Sequence, residues 1–147
     1  MPTRSPALGF VDGLVQLSFL VQSVLAKAAA RHDLTVPQVR LLGILRDREP
    51  GMVQLARYLG LDKSSVTGLV DRAERRGLVQ RDADVDDGRG IRVSSTALGR
   101  QLTEKVSAEI GVQVDALGNS LRAADKKMLT TLVGQILTAQ DSAAQGS

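Results

Sequence analysis

Between Gly77 and Ser95 the apolar residues leave the helical spacing that they keep almost everywhere else, and this one departure constrains the fold most tightly. Leu78-Val79-Gln80-Arg81 and Ile91-Arg92-Val93-Ser94 are short, rich in β-branched residues, and flank a polar loop of Asp and Gly. That is the pattern of a two-stranded hairpin. A lone hairpin is marginal in water, so it must lean on helices. The expected class is mainly α with a small β-hairpin.

The helical parts can be read in order. From 8 to 31, Phe10, Leu14, Leu17, Val21, Val24 and Ala28 form one stripe, and Val11, Val15, Phe19, Leu25 and Ala29 form another, so this helix needs cover on two sides. Thr35-Val36-Pro37-Gln38 then joins a capping residue, a Gln that can reach back, and a Pro in the first turn, where its missing N–H costs nothing. A helix to about Asp47 follows, then a turn at Pro50-Gly51. Leu55, Ala56 and Leu59 mark a short helix ending at Gly60. Asp62 caps a second, carrying Val66, Leu69, Val70 and Ala73 and ending at Gly77. Beyond the hairpin, Ser95 or Thr96 caps a long helix with Leu98, Leu102, Val106, Ile110, Leu117 and Leu121. After a break at 122–125 a last helix carries Met128, Leu129, Leu132, Val133, Ile136 and Leu137. Residues 1–6 and 141–147 lack an apolar pattern and are expected to be disordered. At 147 residues and 43% hydrophobic content, one folded unit is expected.

Composition removes several functions. Phe10, Phe19 and Tyr58 are the aromatics, so no platform exists on which single-stranded bases could stack. There is no Cys, which excludes disulfides, thiolate zinc sites and thiol redox sensing. His32 stands alone; no Ser/His/Asp or Cys/His set, metal cluster or phosphate-binding Gly loop is visible. No enzyme activity, cofactor or metal is therefore expected. The 19 Lys and Arg against 16 Asp and Glu permit a polyanionic partner without demanding one. Ala28-Ala29-Ala30 resembles a signal cleavage site, but Asp12, Gln16, Ser18, Gln22, Ser23 and Lys27 break up the apolar run before it. The same residues argue against a membrane span, and a cytoplasmic protein is expected.

The window from Gln54 to Arg72 has the steric grammar of a helix-turn-helix. Ala56 is small where the helices approach, Gly60 takes the left-handed turn, and Val66 packs the second helix on the first, with Leu55, Leu59, Leu61 and Leu69 completing the inner face. Lys63, Ser64, Ser65, Thr67, Gly68, Asp71, Arg72 and Arg75 remain outside. Short hydrogen-bonding side chains with an Arg further along suit a DNA major groove, the helix N-terminus favours phosphate, and the alternative is a solvated helical face. The hairpin strengthens the DNA reading, because it forms a wing. Arg89, between Gly88 and Gly90, is the side chain type that enters a narrow minor groove, and Arg92 adds a phosphate contact. The loop carries Asp82, Asp84, Asp86 and Asp87, and Asp82-x-Asp84-x-Asp86 resembles the start of a calcium loop, but Asp87 stands where that loop needs Gly and Val93 where it needs Glu. These carboxylates are expected instead to pair with Arg81, Arg89 or Arg92.

Together, Leu34-Thr35-x-x-Gln38, the helix-turn-helix from Gln54, Leu61-Asp62-Lys63-Ser64-Ser65-Val66-Thr67, Leu69-Val70-Asp71-Arg72, Arg76-Gly77-Leu78-Val79 and Asp87-Gly88-Arg89-Gly90 resemble the MarR family over essentially the whole chain. The resemblance implies a single MarR-like domain over 1–147, a winged helix-turn-helix DNA-binding region over 35–95, and dimerisation helices over 8–31 and 97–140. It implies a sequence-specific regulator of transcription on double-stranded DNA, taken as a repressor. Ser64, Ser65, Thr67 and Arg72 would lie on the recognition helix, Gln54 and Lys63 on phosphates, and Arg89 in the minor groove. Gly68 departs from the family's frequent polar or basic residue there. A homodimer also follows from the apolar terminal helices, through Phe10, Leu14, Leu17, Val21, Leu129, Leu132, Val133 and Ile136, and would meet a pseudo-palindromic operator. A small lipophilic or aromatic effector is implied, with no residues assigned to it. His32 is expected to be a surface or capping residue. The competing readings are a constitutive DNA binder without effector and a winged-helix module for protein interaction.

Overall fold

A computed structural model describes residues 8–84 and 90–145. The elements are α1 (Phe10–Ala30), α2 (Val36–Ile44), α3 (Met52–Leu59), α4 (Lys63–Arg75), β1 (Val79–Ala83), β2 (Ile91–Ser95), α5 (Ala97–Leu117) and α6 (Ala123–Gln145). The fold is mainly α with one antiparallel hairpin. The leader 1–6 and the wing residues Asp86, Asp87, Gly88 and Arg89 lie outside the described residues.

Local chemistry sets most boundaries. Thr35 forms a complete capping box, its hydroxyl accepting from Gln38 N–H at 3.3 Å while Gln38 Oε1 accepts from Thr35 N–H at 2.9 Å. Gly60 closes α3 at φ 63, and Gly77 at φ 74 turns the chain from α4 into β1. Of the two candidate caps for α5, Thr96 serves: its hydroxyl accepts from Gly99 N–H at 3.0 Å and donates to the Gly77 carbonyl at 2.6 Å. One side chain thus starts α5 and fixes the end of the α4–β1 turn.

The hairpin register pairs Val79 with Ser95, Arg81 with Val93, Asp82 with Arg92 and Ala83 with Ile91. Gly51 bridges to Arg92, and Val93 N–H donates to the Pro50 carbonyl at 2.9 Å, so the segment read as a plain turn also lies along β2. The fully buried large side chains are Leu41, Leu55, Val66, Val70, Val79 and Val93. They draw α2, α3, α4 and both strands into one core, where truncating a Leu to Ala costs about 2–5 kcal/mol.

Several expectations are corrected. The chain divides into two compact units, Met1–Gly111 and Val112–Ser147, rather than one. Val106 is the last residue of the buried core cluster, with Ile110 partly buried against it. In the second unit α5 ends at Leu117, a turn holds Leu121, and Lys126 Nζ meets Asp115 Oδ1 at 2.6 Å across that turn. The chain from Asp141, expected to be disordered, continues α6 to Gln145, because Ala and Gln favour helix without an apolar pattern. Leu61 is not part of the inner face but 38% exposed, since it follows the left-handed turn at Gly60. By length and composition α1 has the apolarity of a membrane span, so its polar residues alone do not exclude one. Its end is nevertheless anchored in protein: Ala28 and Ala29 are buried, and Ala29 packs in one cluster with Leu34 and Leu41.

Candidate nucleic-acid interface

Val66, Leu69, Val70 and Ala73 hold one face of α4 in the core. The opposite face carries Lys63, Ser64 and Ser65, all exposed, then Thr67 and Gly68, half-buried, and exposed Arg72. The 3.6-residue repeat places these groups along one side.

The first turn is already occupied by an anion. Asp62 Oδ1 accepts from Ser65 N–H at 2.7 Å and from the Ser64 hydroxyl at 2.9 Å. The Ser65 N–H, followed by the Ser64 hydroxyl, holds the Asp62 carboxyl below the ordinary carboxylate range. A carboxylate there satisfies the helix dipole and competes with phosphate. The helix N-terminus, read from the sequence as favouring phosphate, thus carries the expected Asp62 cap. The Ser64 proton points to Asp62, and the Thr67 hydroxyl donates to the Lys63 carbonyl at 2.8 Å. With their protons so used, both oxygens keep only acceptor capacity for a further partner, which suits an exocyclic base amine rather than a phosphate.

Arg72 and Gly68 belong together. A Cβ at Gly68 would lie 3.2 Å from Arg72 Nη1, so the missing side chain makes room for the guanidinium above it. Pro37, Leu61, Ser64, Ser65, Gly68, Leu69 and Arg72 line an open depression of about 350 Å³ beside α4. Lys63 makes no ion pair among the described residues, and Gln54 is exposed on α3.

On the hairpin, Arg92 lies opposite Asp82 and its Nε is 3.3 Å from Asp84 Oδ2, so part of its charge is spent inside the wing. The expected carboxylate pairing is present there. Arg81 differs: it pairs with Asp71 and Glu74 on α4 rather than with the loop acids. His32 is neither free nor a helix cap. Its Nε2 lies 3.0 Å from Glu109 Oε2, and Arg31 binds the other oxygen of the same carboxylate. The His32 hydrogen bond, opposed by partial burial and aided by Arg31, lowers the Glu109 pKa. Sequence reasoning gave Arg81 other partners and missed the roles of Arg76 and Arg40. The Arg76 guanidinium donates to the His32 and Asp33 carbonyls, and Arg40 donates to those of Tyr58 and Leu59, closing the end of α3. An Arg seeking backbone carbonyls leaves no spacing signal in a sequence.

The residues assigned to dimerisation are exposed. Phe10 is 74% exposed; Leu14 and Leu17 on α1, and Leu129, Leu132, Val133 and Ile136 on α6, are exposed as well, whereas Val21 is half-buried.

A helix-turn-helix whose second helix presents a polar face beside a two-stranded hairpin defines the winged helix-turn-helix class. The MarR family model matches residues 32–90, which span that arrangement from the α1–α2 junction into the wing. The chain is 25% identical over 143 residues to the HTH-type transcriptional regulator FarR of Neisseria gonorrhoeae, covering 97% of this chain and 98% of the relative. It is 28% identical over 131 residues to the homoprotocatechuate degradative operon repressor of Escherichia coli, covering 88% of each. NadR in complex with 4-hydroxyphenylacetate superposes with a TM-score of 0.74 at 26% identity, over 92% of this chain and 97% of that one. The chain is thus similar to MarR-family regulators, by the family model over residues 32–90 and by relatives that align with nearly its whole length.

Proposed function

We propose that this chain is a sequence-specific regulator of transcription, acting as a repressor on double-stranded DNA. The observation that carries the reading is α4 itself, held by its apolar face while Lys63, Ser64, Ser65, Thr67 and Arg72 stay outside on one surface. In this reading Ser64, Ser65, Thr67 and Arg72 read base edges and Gln54, Lys63 and Arg92 meet phosphates. Arg89 enters the minor groove in this scheme, on the strength of its residue type between two glycines and of the family resemblance.

Two chains associate through the exposed apolar faces of α1 and α6, which a single chain leaves in water. Such a dimer meets half-sites about 10 bp apart on a pseudo-palindromic operator. A small aromatic or lipophilic effector releases the protein from DNA; the NadR complex and the Escherichia coli relative both carry names that involve aromatic acids. The protein works in the cytoplasm, where its DNA lies.

Selection from random duplex DNA tests the core of this reading and is expected to enrich a two-fold symmetric motif whose binding weakens steeply with salt. Absence of enrichment, or affinity indifferent to salt, refutes it in favour of a protein-interaction module. A panel of aromatic acids tested by thermal shift addresses the effector, and no shift with any of them favours a constitutive binder.

A further inference from the structure

Arg81 joins the hairpin to α4 through four contacts. Its Nη2 donates to Asp71 Oδ1 at 2.5 Å and to the Thr67 carbonyl at 3.4 Å, and its Nη1 donates to Glu74 Oε1 at 2.9 Å. The Arg81 N–H donates to the second Glu74 oxygen at 3.2 Å. Arg81 stands opposite Val93, and directly paired residues point to the same face, so this cation projects inward beside a fully buried Val. Its side chain is only 20% exposed. Three of the five guanidinium donors are thus spent on α4, although Arg81 lies between the two elements proposed to touch DNA.

We propose that Arg81 is a positioning residue that fixes β1 against α4, and so sets the spacing at which hairpin and recognition helix meet one duplex. The inference rests on the DNA-binding reading above. The geometry distinguishes it from simple neutralisation of two carboxylates. Cancelling the charge of Asp71 and Glu74 requires only a nearby cation, whereas a planar fork spread over two carboxylates and a carbonyl also fixes direction. The Arg81 main chain is held by the same Glu74, so strand and side chain are fixed together.

The test compares wild type with Arg81→Ala, Arg81→Lys and the triple variant Arg81→Ala/Asp71→Asn/Glu74→Gln. Each is titrated on the operator selected by the wild type and on a scrambled duplex, melted to verify folding, and examined without DNA by hydrogen exchange of the β1 amides. Arg81→Ala is expected to exchange faster in β1, to bind both duplexes more weakly because Asp71 and Glu74 are left uncompensated, and to lose about tenfold in preference for operator over scrambled duplex. Arg81→Lys and the triple variant are expected to recover affinity for both duplexes but not the preference, because they restore charge without direction. Recovery of the full preference by either one overturns the inference, and unchanged selection by Arg81→Ala does so too while leaving the DNA reading intact. A wild type that selects no duplex removes both together.

Discussion

Replacing Gly99 by Ala should destabilise the protein although the position is helical. Gly99 is the third residue of α5, and in an ordinary helix interior Gly to Ala gains about 1 kcal/mol. Here the added Cβ would lie 2.0 Å from the Leu78 carbonyl oxygen, 2.7 Å from Ser95 Oγ and 3.0 Å from the Leu78 carbonyl carbon. Two of these are backbone atoms, so no flexible side chain can move aside. Reaching 3.0 Å from the oxygen requires a shift of at least 1.0 Å, the difference of 3.0 and 2.0. That oxygen accepts the Thr96 N–H at 3.1 Å, and the Thr96 hydroxyl caps α5 and holds the Gly77 carbonyl. Overpacking costs about 1–3 kcal/mol, and losing the hydrogen bond to a buried carbonyl costs about 1–3 kcal/mol more. After subtracting the helix gain, a net loss of about 1–5 kcal/mol is expected, which lowers Tm by about 2–20 °C in a chain of this size. The measurement is thermal and urea unfolding at fixed protein concentration. Gly43→Ala serves as control, since a Cβ there meets nothing within 4 Å and should stabilise by about 0.5–1 kcal/mol. If Gly99→Ala melts with or above the wild type, the close approach of α5 to Leu78 is refuted.

Three further outcomes follow from the same structure. Because its pKa is lowered on folding, Glu109 stabilises the protein above its unfolded pKa, and that contribution disappears as pH falls through the folded value. Urea midpoints of Glu109→Gln should therefore decline less steeply than those of wild type from about pH 5 to pH 3, and parallel curves would show that the His32–Glu109 contact carries no linkage. Leu132→Glu leaves the single chain folded, as Leu132 is exposed, but should turn a micromolar dimer into a monomer in sedimentation; a variant that remains dimeric removes α6 from the interface. Lys63→Ala should weaken all duplexes alike and reduce the salt slope by about 1, whereas Arg72→Ala should cost about 1–3 kcal/mol on the operator and relax its sequence preference. Equal weakening on every duplex would assign Arg72 to the phosphates instead.

What was legible in the sequence was whatever depends on neighbours along the chain. The Thr35 capping box, the Asp62 cap and the glycines at 60 and 77 each act within a few residues, and each appears where its local chemistry requires. The switch of apolar period located the hairpin for the same reason. Contacts between elements were not legible. Nothing near Arg81 indicates that its partners lie on α4, and the paired acids of the loop pointed elsewhere. Gly68 read as a loss of recognition chemistry, whereas in the structure it is the space that Arg72 fills. Gly99 carried no signal, since a close approach to another element's backbone is a fact of tertiary packing. The tail failed differently: its Ala and Gln residues are good helix formers, and periodicity alone discards that preference.

The polar attachments of α4 gather towards its C-terminal end. Arg76 grips the α1–α2 junction, the Gly77 carbonyl receives Thr96, and Asp71 and Glu74 take the fork of Arg81, while Lys63, Ser64 and Ser65 stand exposed at the other end. Apolar packing reaches Val66, so α4 moves as one stiff lever rather than bending along its length. Its 13 residues span about 20 Å, so a tilt of about 5° at the root displaces the tip by about 1.7 Å. Hydrogen bonds tolerate only about 0.5 Å of variation in length. A disturbance at the α1–α2 junction or in the first turn of α5, too slight to disrupt either place, is therefore large by the time it reaches Lys63.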